Sequence, residues 1–118
     1  MGNFSGKRTA IILDDEFSTG GTAFGLIQKL VEMHGIEEIY LGVSHNRCVP
    51  EARQRLLTLN ARYHLKEIVV TNSIPQTEGF RSLPFLSVRC LSDTLARMIV
   101  RIHLNRSVSE VFYRPGQD

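Results

Sequence analysis

The chain has little of what several classes of protein require. Its 118 residues include two cysteines and no tryptophan, and the formal net charge is only +2. Two cysteines cannot build a disulfide framework, and they fall short of the roughly four ligands of a structural zinc site, so we expect free thiols. A net charge this small, with basic and acidic residues spread throughout, argues against a nucleic-acid-binding surface.

Long apolar segments are also missing. No apolar run approaches the roughly 20 residues needed to cross a bilayer. The N-terminal sequence MGNFSG lacks the apolar segment of a secretory signal peptide. We therefore expect no membrane partner and a cytoplasmic location. What remains is a chain with 42% hydrophobic residues, and its length suits a single domain over residues 1–118.

The apolar pattern predicts strands that alternate with helices. Short apolar runs predict strands at residues 9–13, 38–43, 67–71 and 85–88, with a last short strand or ordered tail at 108–113. Apolar residues at helical spacing predict helices over residues 22–33, from Pro50 onward, and over 92–103 with Ser92 as the cap. Strands separated by helices form right-handed crossovers, so we expect an α/β fold with a mostly parallel sheet and flanking helices.

The most informative stretch is residues 11–22, IILDDEFSTGGT, where an apolar strand leads into acidic residues and then into small ones. In parallel sheets, ligands bind beyond the carboxyl ends of the strands. Ser18, Thr19, Gly20, Gly21 and Thr22 leave their backbone N–H groups accessible to an oxyanion. The helix that begins here adds unpaired N–H groups and a partial positive charge. The loop is therefore predicted to hold a phosphate group.

The acidic pair before this loop predicts the other end of the same ligand. Ionised Asp14 and Asp15 only accept hydrogen bonds, which suits the two hydroxyl donors of a cis-diol. Ribose 5-phosphate satisfies both halves of the motif. The same carboxylates can also act indirectly on Mg²⁺, which keeps several of its waters and pairs with phosphates. A plain alternative is a solvated turn followed by a capped helix.

Polar residues also follow the second and third predicted strands. His45 follows the second strand, and Thr71, Asn72 and Ser73 close the third. If the strands are neighbours, these side chains and the acidic pair meet at one crevice. For His45, a hydrogen-bonded loop residue is the alternative. The basic residues of the second helix, Arg53, Arg55 and Arg62, are expected to face solvent.

Two other phosphate-related folds are excluded by single positions. A phospho-receiver domain needs an aspartate at the end of the third strand, where this chain has Thr71 and Asn72. A Walker-type nucleotide loop needs a lysine before its last Ser or Thr, and Gly21 occupies that place.

Asp14-Asp15 followed by Thr19-Gly20-Gly21-Thr22 resembles the phosphoribosyl-diphosphate (PRPP) motif of type I phosphoribosyltransferases. Further segments narrow the resemblance to the ribose-phosphate pyrophosphokinases, and they run in order over nearly the whole chain. These segments are GKRTAIILDD, GVSHNRCVPEARQRL, EIVVTNSIP, FLSVRCLSDTLARMIVRIH and SVSEVF. The chain is similar to the C-terminal half of those enzymes.

The resemblance implies a fold, a reaction and residue roles. The fold would be type I phosphoribosyltransferase-like. Asp14 and Asp15 would bind the ribose hydroxyls of ribose 5-phosphate, and the loop from Ser18 to Thr22 its phosphate. In the family, a diphosphate passes from Mg-ATP to the ribose 1-hydroxyl. ATP or ADP, Mg²⁺ and a homo-oligomeric partner are implied in the same way. The family's C-terminal motif implies an allosteric site for phosphate or ADP at Ser107, Ser109 and Phe112, for which a packed tail is the alternative.

Two departures limit what the resemblance implies. Glu16 is charged where many family members carry an apolar residue. The half that supplies ATP contacts, a metal-binding histidine and a cationic flexible loop is not in this sequence, and Lys7 and Arg8 stand at the wrong end of the first strand. We therefore expect little or no synthetase activity from this chain alone. A sensor of PRPP or nucleotide with the same fold, and a salvage phosphoribosyltransferase, are the alternatives.

Overall fold

The structure, a computed structural model, describes residues 6–104. The predicted tail at 108–113 and the proposed allosteric residues lie outside this range. Within it the elements follow in chain order: β1 Thr9–Phe17, α1 Gly21–His34, β2 Glu38–Asn46, α2 Pro50–Arg62, β3 Leu65–Thr71, α3 Glu78–Arg81, β4 Leu86–Arg89 and α4 Ser92–His103.

The four strands form one sheet in the order β1-β2-β3-β4, and each neighbouring pair is parallel. Because the chain moves in one direction across the sheet, right-handed crossovers place α1 and α2 on the same face, where they contact each other. The predicted α/β fold with a parallel sheet and flanking helices is confirmed. β1, β2 and β3 are neighbours, as a shared crevice at their carboxyl ends requires.

The first strand is longer than predicted, and this changes the setting of the acidic residues. β1 continues through Asp14, Asp15 and Glu16 to Phe17, and its pairing with β2 extends to Phe17 opposite Asn46. The expectation that the acidic pair follows the strand is wrong. Strand pairing satisfies backbone groups whatever the side chains are, so carboxylates at the sheet edge do not end the strand.

The helix ends agree with the sequence in one case and differ in another. Gly35 ends α1 with φ 66°, a left-handed conformation that glycine adopts without strain. The prediction that Ser92 caps α4 is wrong, because Leu91 holds the cap position and Ser92 is the first helical residue. Asn72 Oδ1 instead accepts the Leu91 N–H at 2.8 Å, so the junction is held from the end of β3. The short helix α3 was not predicted.

The apolar core lies between one face of the sheet and helices α1 and α2. In β2, Ile39, Leu41 and Val43 are buried, whereas the residues between them are only partly covered. Leu56 and Leu59 of α2 are fully buried against this face. Strand alternation therefore separates a covered face from an opposite, outer face.

The outer face of the sheet and the apolar side of α4 remain exposed among the described residues. In β1, Ile11 and Leu13 are 71% and 80% exposed, whereas Ala10 and Ile12 pack against the core. α4 has no buried residue, and its Ile99 is 66% exposed. Across residues 6–104, no helix is both long and apolar enough to cross a membrane.

One-sided packing predicts opposite outcomes for two leucines. Leu56→Ala opens a cavity in the core and should lower the free energy of unfolding by about 2–5 kcal/mol. Leu13→Ala removes an exposed side chain and should change it by less than about 1 kcal/mol. Urea denaturation followed by circular dichroism measures both. Equal losses would show that the outer face is covered in solution.

Candidate functional site

The glycine loop, residues 18–22, is fixed to the end of β1 by the side chain that precedes it. Phe17 is 3% exposed, and its ring lies directly under Gly20. A Cβ atom at Gly20 would lie 2.6 Å from Cζ of Phe17, and Gly20 has φ 79°. Both the close approach and the left-handed backbone require glycine here. The loop therefore turns tightly over a buried ring.

The loop leads into α1 without a side-chain cap. Gly20 is the N-cap residue, no side chain bonds to the helix end, and the first intrahelical bond runs from the Phe24 N–H to the Gly20 carbonyl at 2.9 Å. The N–H groups of the residues between them have no carbonyl one turn earlier to bond. Such groups, at the positive end of a helix, favour an anion.

A second tie reaches the loop from α2. Nη1 of Arg55 donates to the Thr19 carbonyl at 2.6 Å. Arg53, two residues earlier in α2, makes a similar contact from Nε to the Gly79 carbonyl at 2.8 Å. The expectation that these arginines simply face solvent is therefore wrong for Arg53 and Arg55, because each is partly buried and holds a backbone carbonyl. Arg62 is exposed, as expected.

The loop, the end of β1 and the start of α1 surround a cavity of about 400 Å³, a size suited to a small ligand. It is lined by Asp14, Glu16, Phe17, Ser18, Thr19, Gly20, Gly21, Thr22, Ala23 and Arg47. The structure thus brings all five predicted loop residues together with Asp14. Asp15 is not among the lining residues. Neighbouring residues of a strand point to opposite faces, so Asp15, two residues after Leu13, lies on the same outer face as Leu13.

The carboxylates of this cavity differ in their partners. Asp14 Oδ1 accepts the Asp15 backbone N–H at 2.8 Å. Glu16 Oε1 accepts from Nη1 of Arg47 at 3.0 Å, an ion pair between side chains that are 50% and 58% exposed. Glu16, which is charged where many family members carry an apolar residue, therefore pairs with Arg47 in this cavity.

His45, Thr71 and Ser73 form a separate group at the ends of β2 and β3. The Thr71 hydroxyl donates to the Ser44 carbonyl, and the Ser73 hydroxyl donates to the same carbonyl at 3.1 Å. His45 Nδ1 lies 2.6 Å from Ser73 Oγ. With the Ser73 proton directed to Ser44, Ser73 Oγ is left to accept a hydrogen bond from Nδ1 of the ring. These three residues lie together but do not line the glycine-loop cavity, so the single crevice expected for them and the acidic pair stays a prediction.

Asn72 also lies at the carboxyl end of the sheet, but in another region. Its amide donates to Cys90 Sγ at 3.3 Å, and it lines a second cavity with Cys90 and Arg81. Two groups of Ser92 lie close to Cys90 Sγ, the hydroxyl at 3.2 Å and the backbone N–H at 3.4 Å. Hydrogen bonding to these groups, above all to the hydroxyl, stabilises the thiolate and lowers the pKa of Cys90 below its ordinary value. Cys48 and Cys90 are both free thiols, as expected.

The side chains present limit the kind of Mg²⁺ site that this region can form. Across residues 6–104, no group of three or more His, Cys, Asp or Glu side chains is arranged to hold a metal ion. Asp14 and its neighbour offer carboxylate oxygens only. This fits an ion that keeps several waters and completes its shell with phosphate oxygens of a substrate. It does not fit a site built entirely from protein ligands.

Three residues that shape this site carry no clear signal in the sequence. In the sequence, Phe17 is distinguished only by being apolar, and Arg47 and Arg55 look like ordinary surface cations. The contacts of both arginines join residues more than 30 positions apart in the chain. Helical spacing places Arg55 about one and a half turns after Pro50 on α2, but only the sheet order shows that this part of the helix lies beside the loop.

Known proteins with similar sequence and structure agree with this fold. No protein-family model matches the chain. Ribose-phosphate pyrophosphokinase from Mycobacterium leprae is 35% identical over 105 residues, which are 89% of this chain and 30% of that protein. The enzyme of the same name from Parasynechococcus marenigrum is 37% identical over 112 residues, 95% of this chain and 32% of that protein.

A solved structure gives the same result. The crystal structure of phosphoribosylpyrophosphate synthetase from Mycobacterium smegmatis superposes with a TM-score of 0.73 at 32% identity, over 89% of this chain and 33% of that one. The fold is therefore the phosphoribosyltransferase type of α/β fold. Within that class, the chain is a homologue of the ribose-phosphate pyrophosphokinases, and the predicted resemblance is confirmed. It spans about a third of the length of these relatives.

The contact between Gly20 and Phe17 predicts a loss of stability. Gly20→Ala forces a left-handed backbone and a clash with the ring, and should lower the free energy of unfolding by about 1–3 kcal/mol. The matched control is Gly25→Ala, because Gly25 lies inside α1 with open space around it. That change should stabilise the helix by about 0.5–1 kcal/mol. Chemical denaturation gives both values, and equal effects would contradict the packing described.

Proposed function

We propose that this chain is the ribose 5-phosphate-binding domain of a ribose-phosphate pyrophosphokinase, which transfers diphosphate from ATP to the ribose 1-hydroxyl. The observation that carries the proposal is one cavity shared by the glycine loop and Asp14. A phosphate group and a vicinal diol need these two kinds of surface side by side. The relatives' shared name supports the reaction class.

In this proposal the loop and the carboxylates divide the ligand between them. The free N–H groups around Gly21 and Thr22 hold the 5-phosphate at the start of α1. Asp14 accepts the ribose hydroxyls from inside the cavity. Asp15 acts from the edge of the sheet, because it does not line the cavity. The carboxylate already bonded to the Asp15 N–H keeps its second oxygen available for a hydroxyl.

Mg²⁺ belongs to the proposal as a substrate-associated ion. Asp14 and Asp15 would hold it through its waters, and it would neutralise charge on the transferring phosphates. The chain's own contribution is to position the ribose, since in-line transfer depends mainly on the placement of the reacting groups.

The same proposal includes the polar residues at the ends of β2 and β3, a second ligand and self-association. His45, Thr71 and Ser73 would line the side of the crevice next to the ribose site, and Asn72 would support the region beside them. ATP or ADP as second ligand, self-association and a cytoplasmic location are proposed with it, as the resemblance to the family implies. The chain spans a third of their length, so we propose that it binds ribose 5-phosphate but turns over little or no substrate alone.

Calorimetric titration with ribose 5-phosphate in the presence of Mg²⁺ tests this function. We expect binding by the unaltered chain and none with ribose at the same concentration, because ribose lacks the phosphate. Asp14→Asn should weaken binding about tenfold, since it removes a charged acceptor inside the cavity. Asp15→Asn, the matched control at the sheet edge, should have a smaller effect. Failure of the unaltered chain to bind would contradict the proposal.

A further inference from the structure

We propose that Arg47 binds the phosphate group of the ligand in the glycine-loop cavity and that Glu16 holds Arg47 when the ligand is absent. Ligand binding would then exchange one anionic partner of the guanidinium for another. The inference rests on the proposed function, because it assigns a residue to the phosphate end of that ligand. Arg47 lies outside the stretch of residues 11–22 that predicted the site, and that prediction gave Glu16 no role.

The backbone fixes Arg47 beside the loop. Arg47 follows β2 directly, and its N–H donates to the Phe17 carbonyl at 3.0 Å. Phe17 is also the residue whose ring supports Gly20. Phe17 therefore fixes both the turn of the loop and the backbone of Arg47, so the arginine side chain begins beside the cavity that Arg47 lines.

The charges around the cavity call for a cation. Among the described residues that line it, Asp14 and Glu16 are acidic and Arg47 is the one basic residue. A phosphate entering this space meets two carboxylates, and the N–H groups of α1 carry only partial charge. A guanidinium offers five N–H donors in a planar arrangement that matches phosphate oxygens in pairs. Arg47 is placed to offset the repulsion.

The existing ion pair is easy to exchange. Arg47 meets Glu16 through Nη1 and Oε1, which lie 3.0 Å apart, and both side chains are at least half exposed. Exposed ion pairs of this kind contribute little to stability, because solvent screens them and the long side chains lose rotamer freedom. Glu16 thus keeps Arg47 near the loop without a large cost on release. It also competes with the ligand for the same donors.

These roles give the two substitutions opposite effects on affinity. Arg47→Gln removes the cation and should weaken binding of ribose 5-phosphate about tenfold. Glu16→Gln removes the competing carboxylate and should strengthen binding about threefold. Damage to the fold would weaken binding in both variants, so opposite signs separate a ligand contact from a structural ion pair. In the double variant most of the gain from Glu16→Gln should be lost, because the Glu16 carboxylate acts mainly by competing with the ligand for Arg47.

The test is calorimetry with ribose 5-phosphate on the full chain, at fixed ionic strength and with the fold of each variant checked by circular dichroism. The control is Arg62→Gln, which removes an exposed cation at the far end of α2 and should leave the affinity unchanged. Arg47→Lys keeps the charge without the paired donors, and should bind between Arg47→Gln and the unaltered chain.

The outcomes separate this inference from the function on which it rests. If ribose 5-phosphate binds and Asp14→Asn weakens it, while Arg47→Gln and Glu16→Gln change nothing, the function stands and the role of Arg47 is wrong. A loss of affinity in both Glu16→Gln and Arg47→Gln would also overturn the exchange, because it would show a supporting ion pair. If the unaltered chain does not bind, both proposals fail.

Discussion

The contact between the Phe17 ring and Gly20 is the constraint on which the rest of the site depends. It joins the end of β1 to the start of α1 by packing a buried ring under a left-handed glycine. Since the Phe17 carbonyl also accepts the Arg47 N–H, the same residue ties the second strand to the loop. Hydrophobic burial thereby sets the position of groups whose function is electrostatic.

The sheet order gives this local contact its surroundings. With β1, β2 and β3 as parallel neighbours, three strand ends bring carboxylates, hydroxyls and an imidazole to one edge. α2 packs on the same face as α1, and from there Arg55 reaches the Thr19 carbonyl. The loop is therefore held from the strand before it and from a helix later in the chain. Such support keeps backbone N–H groups in place before a ligand arrives.

Much of this could be predicted from sequence, because the relevant signals are local. The strand and helix periods, Pro50 at a helix start and Gly35 at a helix end depend on near neighbours only. The glycine loop was predictable for the same reason. The extension of β1 through its acidic residues was not, because pairing with β2 is a tertiary effect that overrides the polar character of those residues.

The partners of individual side chains needed the structure. Asp14 and Asp15 look equivalent in the sequence, yet strand alternation places only Asp14 in the cavity. Thr71, Asn72 and Ser73 look like one polar cluster, but Asn72 bonds to the β4–α4 junction and the other two to Ser44. Glu16 appeared as a departure from the family, and Arg47, 31 positions later, explains its charge.

Ligand binding at the glycine loop can be tested by titrating the isotope-labelled chain with ribose 5-phosphate and recording ¹H–¹⁵N spectra. We expect the largest shifts at the amides of Thr19 to Ala23 and at the side chain of Arg47. Shifts centred instead on Asn72 and Cys90, at the second cavity, would contradict it. A spectrum unchanged by the ligand would contradict it as well.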